Sequence, residues 1–134
     1  MSDVKGVLAM GKRILVVDDV TDIQKLLVAM LQPSGFEVCT ASSGDEDLRI
    51  LRHQTCDLIL LDISMPTMSG LEMLHHLRAE KSTRDLPVIM LTAFNEERMT
   101  QLSQMLGADD YLVKSDVNPD DLCARVEACL KKAA

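Results

Sequence analysis

The stretch Asp57-Leu58-Ile59-Leu60-Leu61-Asp62-Ile63-Ser64-Met65-Pro66 decides the fold. Four apolar residues in a row, Leu58 to Leu61, read as a strand buried on both faces, as in a parallel sheet. Pro66 has no amide hydrogen to give a ladder, so the strand stops near Asp62. A carboxylate therefore stands at the carboxyl end of a central strand, where open α/β sheets bind ligands.

The same unit recurs on either side. Arg13-Ile14-Leu15-Val16-Val17 is a first strand ending on Asp18-Asp19, and Phe36 to Thr40 is a short second one. Pro87-Val88-Ile89-Met90-Leu91 is a fourth, ending on Thr92, and Tyr111-Leu112-Val113 a fifth, ending on Lys114. Helical signals fill the gaps. Thr21 with Gln24 resembles a capping box ahead of the stripe Ile23, Leu26, Leu27, Met30, Leu31. Ser43 with Glu46 and Ser69 with Glu72 repeat the box, the second before an inner face of Leu71, Leu74 and Leu77. Asn95 is expected to cap a fourth helix, with Glu96 and Glu97 in its first turn and Gly107 at its end. Asn118-Pro119 reads as an N-cap with proline at the first helical position. Leu122, Val126, Cys129 and Leu130 line that last helix. Five strand–helix repeats with right-handed crossovers predict a parallel sheet covered on both faces.

Composition sets the bounds. The 134 residues suit one domain, with a loose tail over residues 1–12 and the folded unit over 13–134. Hydrophobic residues make up 47% but aromatics 2%, so the core must be aliphatic and methionine-rich. No apolar run approaches the ~20 residues of a membrane span, and the N-terminus lacks a secretory pattern. The expected location is cytoplasmic. The four cysteines form no C-x-x-C pair, so reduced, buried thiols are expected. A net charge of −7 without clustered Lys and Arg argues against direct nucleic-acid binding.

In a parallel sheet the ends carrying Asp18-Asp19, Asp62, Thr92 and Lys114 lie on one edge. Three carboxylates packed together repel and raise one another's pKa. A divalent cation relieves this, and an oxygen-only site suits Mg²⁺, with Mn²⁺ as a substitute. The set fits phosphoryl transfer, with a carboxylate as nucleophile and cation, ammonium and hydroxyl around the phosphoryl oxygens. Taken singly, each residue has an ordinary reading: a helix cap, a turn residue, a strand end, a surface charge. One at each strand end in turn does not.

The motifs Val16-Val17-Asp18-Asp19, Leu60 through Gly70, Leu91-Thr92-Ala93 and Gly107 through Lys114 resemble the receiver domain of two-component response regulators, over about residues 12–132. The resemblance implies a flavodoxin-like three-layer fold with strand order 2-1-3-4-5. It implies Asp62 as the residue phosphorylated from a phosphohistidine on a sensor histidine kinase or phosphotransfer protein. Asp19 and the Ser64 backbone carbonyl would bind the metal beside Asp62, with Asp18 assisting through water. Lys114 would pair with Asp62 and then with the phosphoryl group. Thr92 would bond a phosphoryl oxygen and move toward it, and Tyr111 would turn inward as it did. Ser64, Ala93 and Phe94 would border the site. Output would pass through the fourth helix, fifth strand and fifth helix to a downstream protein, from a monomer or weak dimer.

Two positions depart from that pattern. Receivers mostly place proline after the lysine, joined by a cis peptide, whereas Ser115 follows Lys114 here. A cis bond before a non-proline residue costs ~3–4 kcal/mol. The alternatives are a trans bond with a rebuilt loop or a strained cis bond. Phe94, two residues after Thr92, is expected to exclude water and slow loss of the phosphoryl group.

Other readings remain. A haloacid-dehalogenase-type phosphatase would need an aspartate two residues after Asp18, where Val20 stands. A flavodoxin would need a hydroxyl-rich phosphate loop where this chain has two carboxylates. A phospho-independent interaction module and a receiver cut from a hybrid kinase or longer regulator stay open. The leading reading is a stand-alone phosphoacceptor switch rather than an enzyme.

Overall fold

The computed structural model describes residues 11–66, 68–93 and 95–133. Most of the expected tail, and Phe94, lie outside these.

Five strands form one sheet: β1 (Arg13–Val17), β2 (Glu37–Ala41), β3 (Leu58–Asp62), β4 (Val88–Thr92) and β5 (Asp110–Val113). All pairings are parallel, in the order 2-1-3-4-5. The connecting helices are α1 (Thr21–Leu31), α2 (Gly44–His53), α3 (Gly70–Ala79), α4 (Glu97–Met105) and α5 (Pro119–Ala133). This is the flavodoxin-like three-layer fold that the family resemblance implied.

The central strands are apolar because both faces are covered, and β3 and β4 are buried along their whole length. Alternate residues go to opposite layers. Ile14, Val16, Leu58, Leu60, Ile89 and Leu91 pack with Leu27, Leu31, Leu122 and Val126 of α1 and α5. Leu15, Val17, Ile59, Leu61, Val88 and Met90 pack with Met73, Leu74 and Leu77 of α3, flanked by Leu48 and Leu51 of α2. Each such side chain contributes roughly 1.5–3 kcal/mol by burial. Two apolar layers can therefore offset a few buried charges at one edge.

Three caps form as expected. Ser43 Oγ accepts the Glu46 amide, Ser69 Oγ the Glu72 amide, and Asn118 Oδ1 the Asp121 amide. Two do not. Val20, not Thr21, precedes α1 and has no polar side chain to cap with; its amide donates to the Asp18 carboxylate at 2.9 Å. Gln24 is drawn inward instead, where its amide donates to the Asp18 and Ala41 carbonyls. Glu96, not Asn95, precedes α4, since its carbonyl accepts the Thr100 amide. Leu26, placed on the inner stripe of α1, is exposed, because that face centres on Gln24, Leu27 and Leu31. The four thiols are free; Cys123 and Cys129 are buried, whereas Cys39 and Cys56 are only half-buried.

Candidate phosphoryl-transfer site

Parallel strands bring the polar ends together. Asp18 follows β1, Asp62 ends β3, Thr92 ends β4 and Lys114 follows β5. Carboxylate oxygens of Asp18, Asp19 and Asp62 all lie within 4.8 Å of one another. Asp18 is fully buried and Asp62 nearly so, whereas Asp19 is exposed. The cluster thus has two closed sides and one open to solvent.

Lys114 Nζ reaches both buried carboxylates, 2.7 Å from Asp18 Oδ2 and 3.2 Å from Asp62 Oδ1. The sequence reading paired it with Asp62; the shorter contact is to Asp18. Burial pulls the ammonium toward neutrality, but the two carboxylates outweigh it and raise its pKa, so it stays charged. Burial pushes the Asp62 carboxyl up to about 6, Asp18 adds repulsion, and Lys114 with the Ser64 amide pulls part of the way back. That amide donates to Asp62 Oδ1 at 3.3 Å. One ammonium therefore leaves three carboxylates with excess negative charge in a hard, oxygen-only set. Those donors fit a divalent cation of the Mg²⁺ class.

Backbone packing fixes Asp62. The Gly70 amide donates to the Ile63 carbonyl at 2.7 Å, which seats the start of α3 against the end of β3. A Cβ on Gly70 would overlap the Asp62 carbonyl oxygen. Glycine is required there by close approach rather than by an unusual φ. Thr92 is buried beside Val113, in register across β4 and β5. Tyr111 is half-buried against the layer holding α3 and α4. Ser64 and Ala93 are exposed at the rim. No cis peptide occurs among the described residues. Lys114–Asp116 instead makes a 3₁₀ turn, and Val117 is extended before the Asn118 cap. The Lys114–Ser115 bond is thus trans.

The capping box with Thr21 expected of Gln24 does not form; its side chain ties the loop after β1 to the end of β2, and no local signal marks that role. Sequence reading also passed over Asp47 in α2, which is fully buried with neither oxygen hydrogen-bonded. The helical period was its only signal, because Gly44, Asp47, Leu48 and Leu51 share one face.

The fold and site define a class: doubly wound domains with an acid cluster and a lysine at the carboxyl edge of the sheet. A family model, the response regulator receiver domain, matches residues 14–127, and the chain belongs to that family. It is 43% identical over 124 residues to the alkaline phosphatase synthesis transcriptional regulatory protein PhoP of Bacillus subtilis, covering 92% of this chain and 50% of that protein. It thus spans about half the length of the curated relatives it matches. Among solved structures, the chemotaxis protein CheY4 of Vibrio cholerae superposes with a TM-score of 0.83 at 32% identity, over 90% of this chain and 99% of that one. The response regulator TrrA of Thermotoga maritima, solved in complex with Mg²⁺-BeF, gives 0.77 at 42% identity, over 88% and 98%. The chain is therefore a phosphoacceptor receiver of two-component signalling. Among the described residues no helix is long and apolar enough to cross a membrane.

Proposed function

We propose that Asp62 is the phosphoacceptor and that phosphorylation changes how the α4, β5 and α5 face binds a protein. The carrying observation is the buried Asp62 carboxylate, 3.2 Å from Lys114 Nζ and clustered with Asp18 and Asp19. An Asp62 oxygen attacks the donor phosphorus, an O–P bond forms, and the P–N bond of a phosphohistidine breaks with its electron pair on the imidazole. Lys114, already charged, moves its contact from the carboxylates to the phosphoryl oxygens. Asp18 keeps Lys114 at the site throughout, which explains why its contact is the shorter one. Asp18, Asp19, Asp62 and the Ser64 carbonyl would hold Mg²⁺ or Mn²⁺, which supplies positive charge against the phosphoryl oxygens when bound. The similar response regulator TrrA was solved in complex with Mg²⁺-BeF, which supports a divalent cation at this site.

Thr92 bonds a phosphoryl oxygen that is absent before transfer, so it binds the two states unequally, as any switch requires. Tyr111 then repacks toward the space Thr92 leaves. The donor is a sensor histidine kinase or histidine phosphotransfer protein, the output a cytoplasmic protein contact, without membrane or direct nucleic-acid binding by this domain. The transcriptional role in its relatives' names belongs to those longer proteins. Incubation with Mg²⁺ and acetyl phosphate, followed by mass spectrometry, tests the assignment. One phosphoryl group on Asp62 is expected; labelling that survives in Asp62→Asn overturns it.

A further inference from the structure

Asp19, the exposed member of the acid cluster, and Thr92 border a cleft of about 660 Å³ between the loop after β3 and the start of α4. Ser64 also lines it, as do the apolar side chains of Met65 and Met99. Glu96 supplies one more carboxylate. It is exposed, occupies the position before α4, and makes no capping bond with its side chain. Among the described residues no lysine or arginine lines the cleft. Lys114 is committed to Asp18 and Asp62. A bound cation would neutralise charge at Asp19, but Glu96 lines the same cleft outside the cation cluster.

We propose that Glu96 is a specificity-determining residue that disfavours small, strongly anionic phosphodonors relative to donors with a nitrogen-linked phosphoryl group. The proposal rests on the reading of Asp62 as phosphoacceptor. Acetyl phosphate reaches the cleft as a dianion. Its P–O bond breaks and the electron pair leaves on acetate. Phosphoramidate carries an ammonium on its phosphoryl group, is a monoanion, and loses neutral ammonia as its P–N bond breaks. Repulsion from Glu96 scales with donor charge, so it falls harder on the acyl phosphate.

The test is the rate of Asp62 phosphorylation in the full chain with Mg²⁺, for wild type, Glu96→Gln and Glu97→Gln. Glu97 lies in the first turn of α4 but does not line the cleft. At low ionic strength Glu96→Gln should speed acetyl phosphate about three- to tenfold and phosphoramidate by less than about twofold. Near 1 M salt, where the screening length is about 3 Å, the difference should vanish. Glu97→Gln should match wild type. Equal gains with both donors, a gain that survives high salt, no gain at all, or an equal gain in Glu97→Gln would each overturn the proposal. Absence of label on Asp62 with either donor would instead overturn the phosphoacceptor reading and this proposal with it.

Discussion

At the amino-terminal edge of the sheet, Arg78 donates to the carbonyls of Thr83, Leu86 and Gly107 and pairs with Asp109 at 3.2 Å. Asp109 also accepts the Val88 amide, and Asp57 accepts the amide of Arg13. At the carboxyl edge, one Lys114 faces Asp18 and Asp62, Asp19 stands in reach, and the Asp62 carboxyl is pushed up to about 6. Asp47, one turn into α2, has no partner for either oxygen, and burial pushes its carboxyl up to about 7. The same strands thus hold two opposite treatments of charge. One edge satisfies its polar groups and closes loops. The other carries surplus negative charge that an added cation or phosphoryl group can rearrange. Stability is concentrated at the first and responsiveness at the second.

The largest effect expected from breaking this contrast is at the satisfied edge. Arg78→Ala removes donors from three carbonyls and leaves Asp109 without its cation, so it should lower unfolding free energy by roughly 3 kcal/mol. Urea denaturation measures this. The mutation should leave the carboxyl edge competent in the folded fraction, since Arg78 sits near the end of α3, away from the site.

Asp47 tests the surplus edge through pH. Its folded carboxyl titrates near 7, whereas in the unfolded chain it titrates near 4. Between those values the unfolded chain has released the proton that the folded one keeps. Its share of stability is therefore full below about pH 4, falls as pH rises, and levels off above about 7. Between pH 5 and pH 8 this amounts to at most roughly 2.8 kcal/mol, at about 1.4 kcal/mol per unit over the two units from pH 5 to 7. Asp47→Asn should remove this slope, so that unfolding free energies at pH 5 and pH 8 differ less than in wild type. An unchanged slope would place the titration elsewhere.

The smallest effect is at a satisfied local feature. Asn118→Ala deletes the 2.9 Å cap bond to the Asp121 amide and should cost about 1 kcal/mol, read as a shift in urea midpoint.

These contrasts also explain what the sequence could reveal. The strands were legible because two-sided burial writes continuous apolar runs such as Leu58 to Leu61. The acid cluster was legible because a parallel sheet collects every strand end on one edge. The start of α1 was not, because Gln24 answers the carbonyls of Asp18 and Ala41, a partnership set by how the strand ends meet. The start of α4 moved one residue past the expected cap, and Glu96 thereby lines the cleft. Asp47 was hidden because a charged residue in a short helix normally faces water, and only the phase of its neighbours turns it inward. The need for Gly70 became visible only with Asp62 carbonyl oxygen in its place.

The carboxyl edge is short of positive charge until a cation arrives. Urea unfolding at pH 8, with and without Mg²⁺, for wild type and Asp62→Asn, tests it most directly. Mg²⁺ should stabilise wild type by about 1.4 kcal/mol per decade of concentration above its dissociation constant. Asp62→Asn should be the more stable of the two without metal and gain less from it. A wild type indifferent to Mg²⁺, or an Asp62→Asn variant less stable than wild type in its absence, would contradict it.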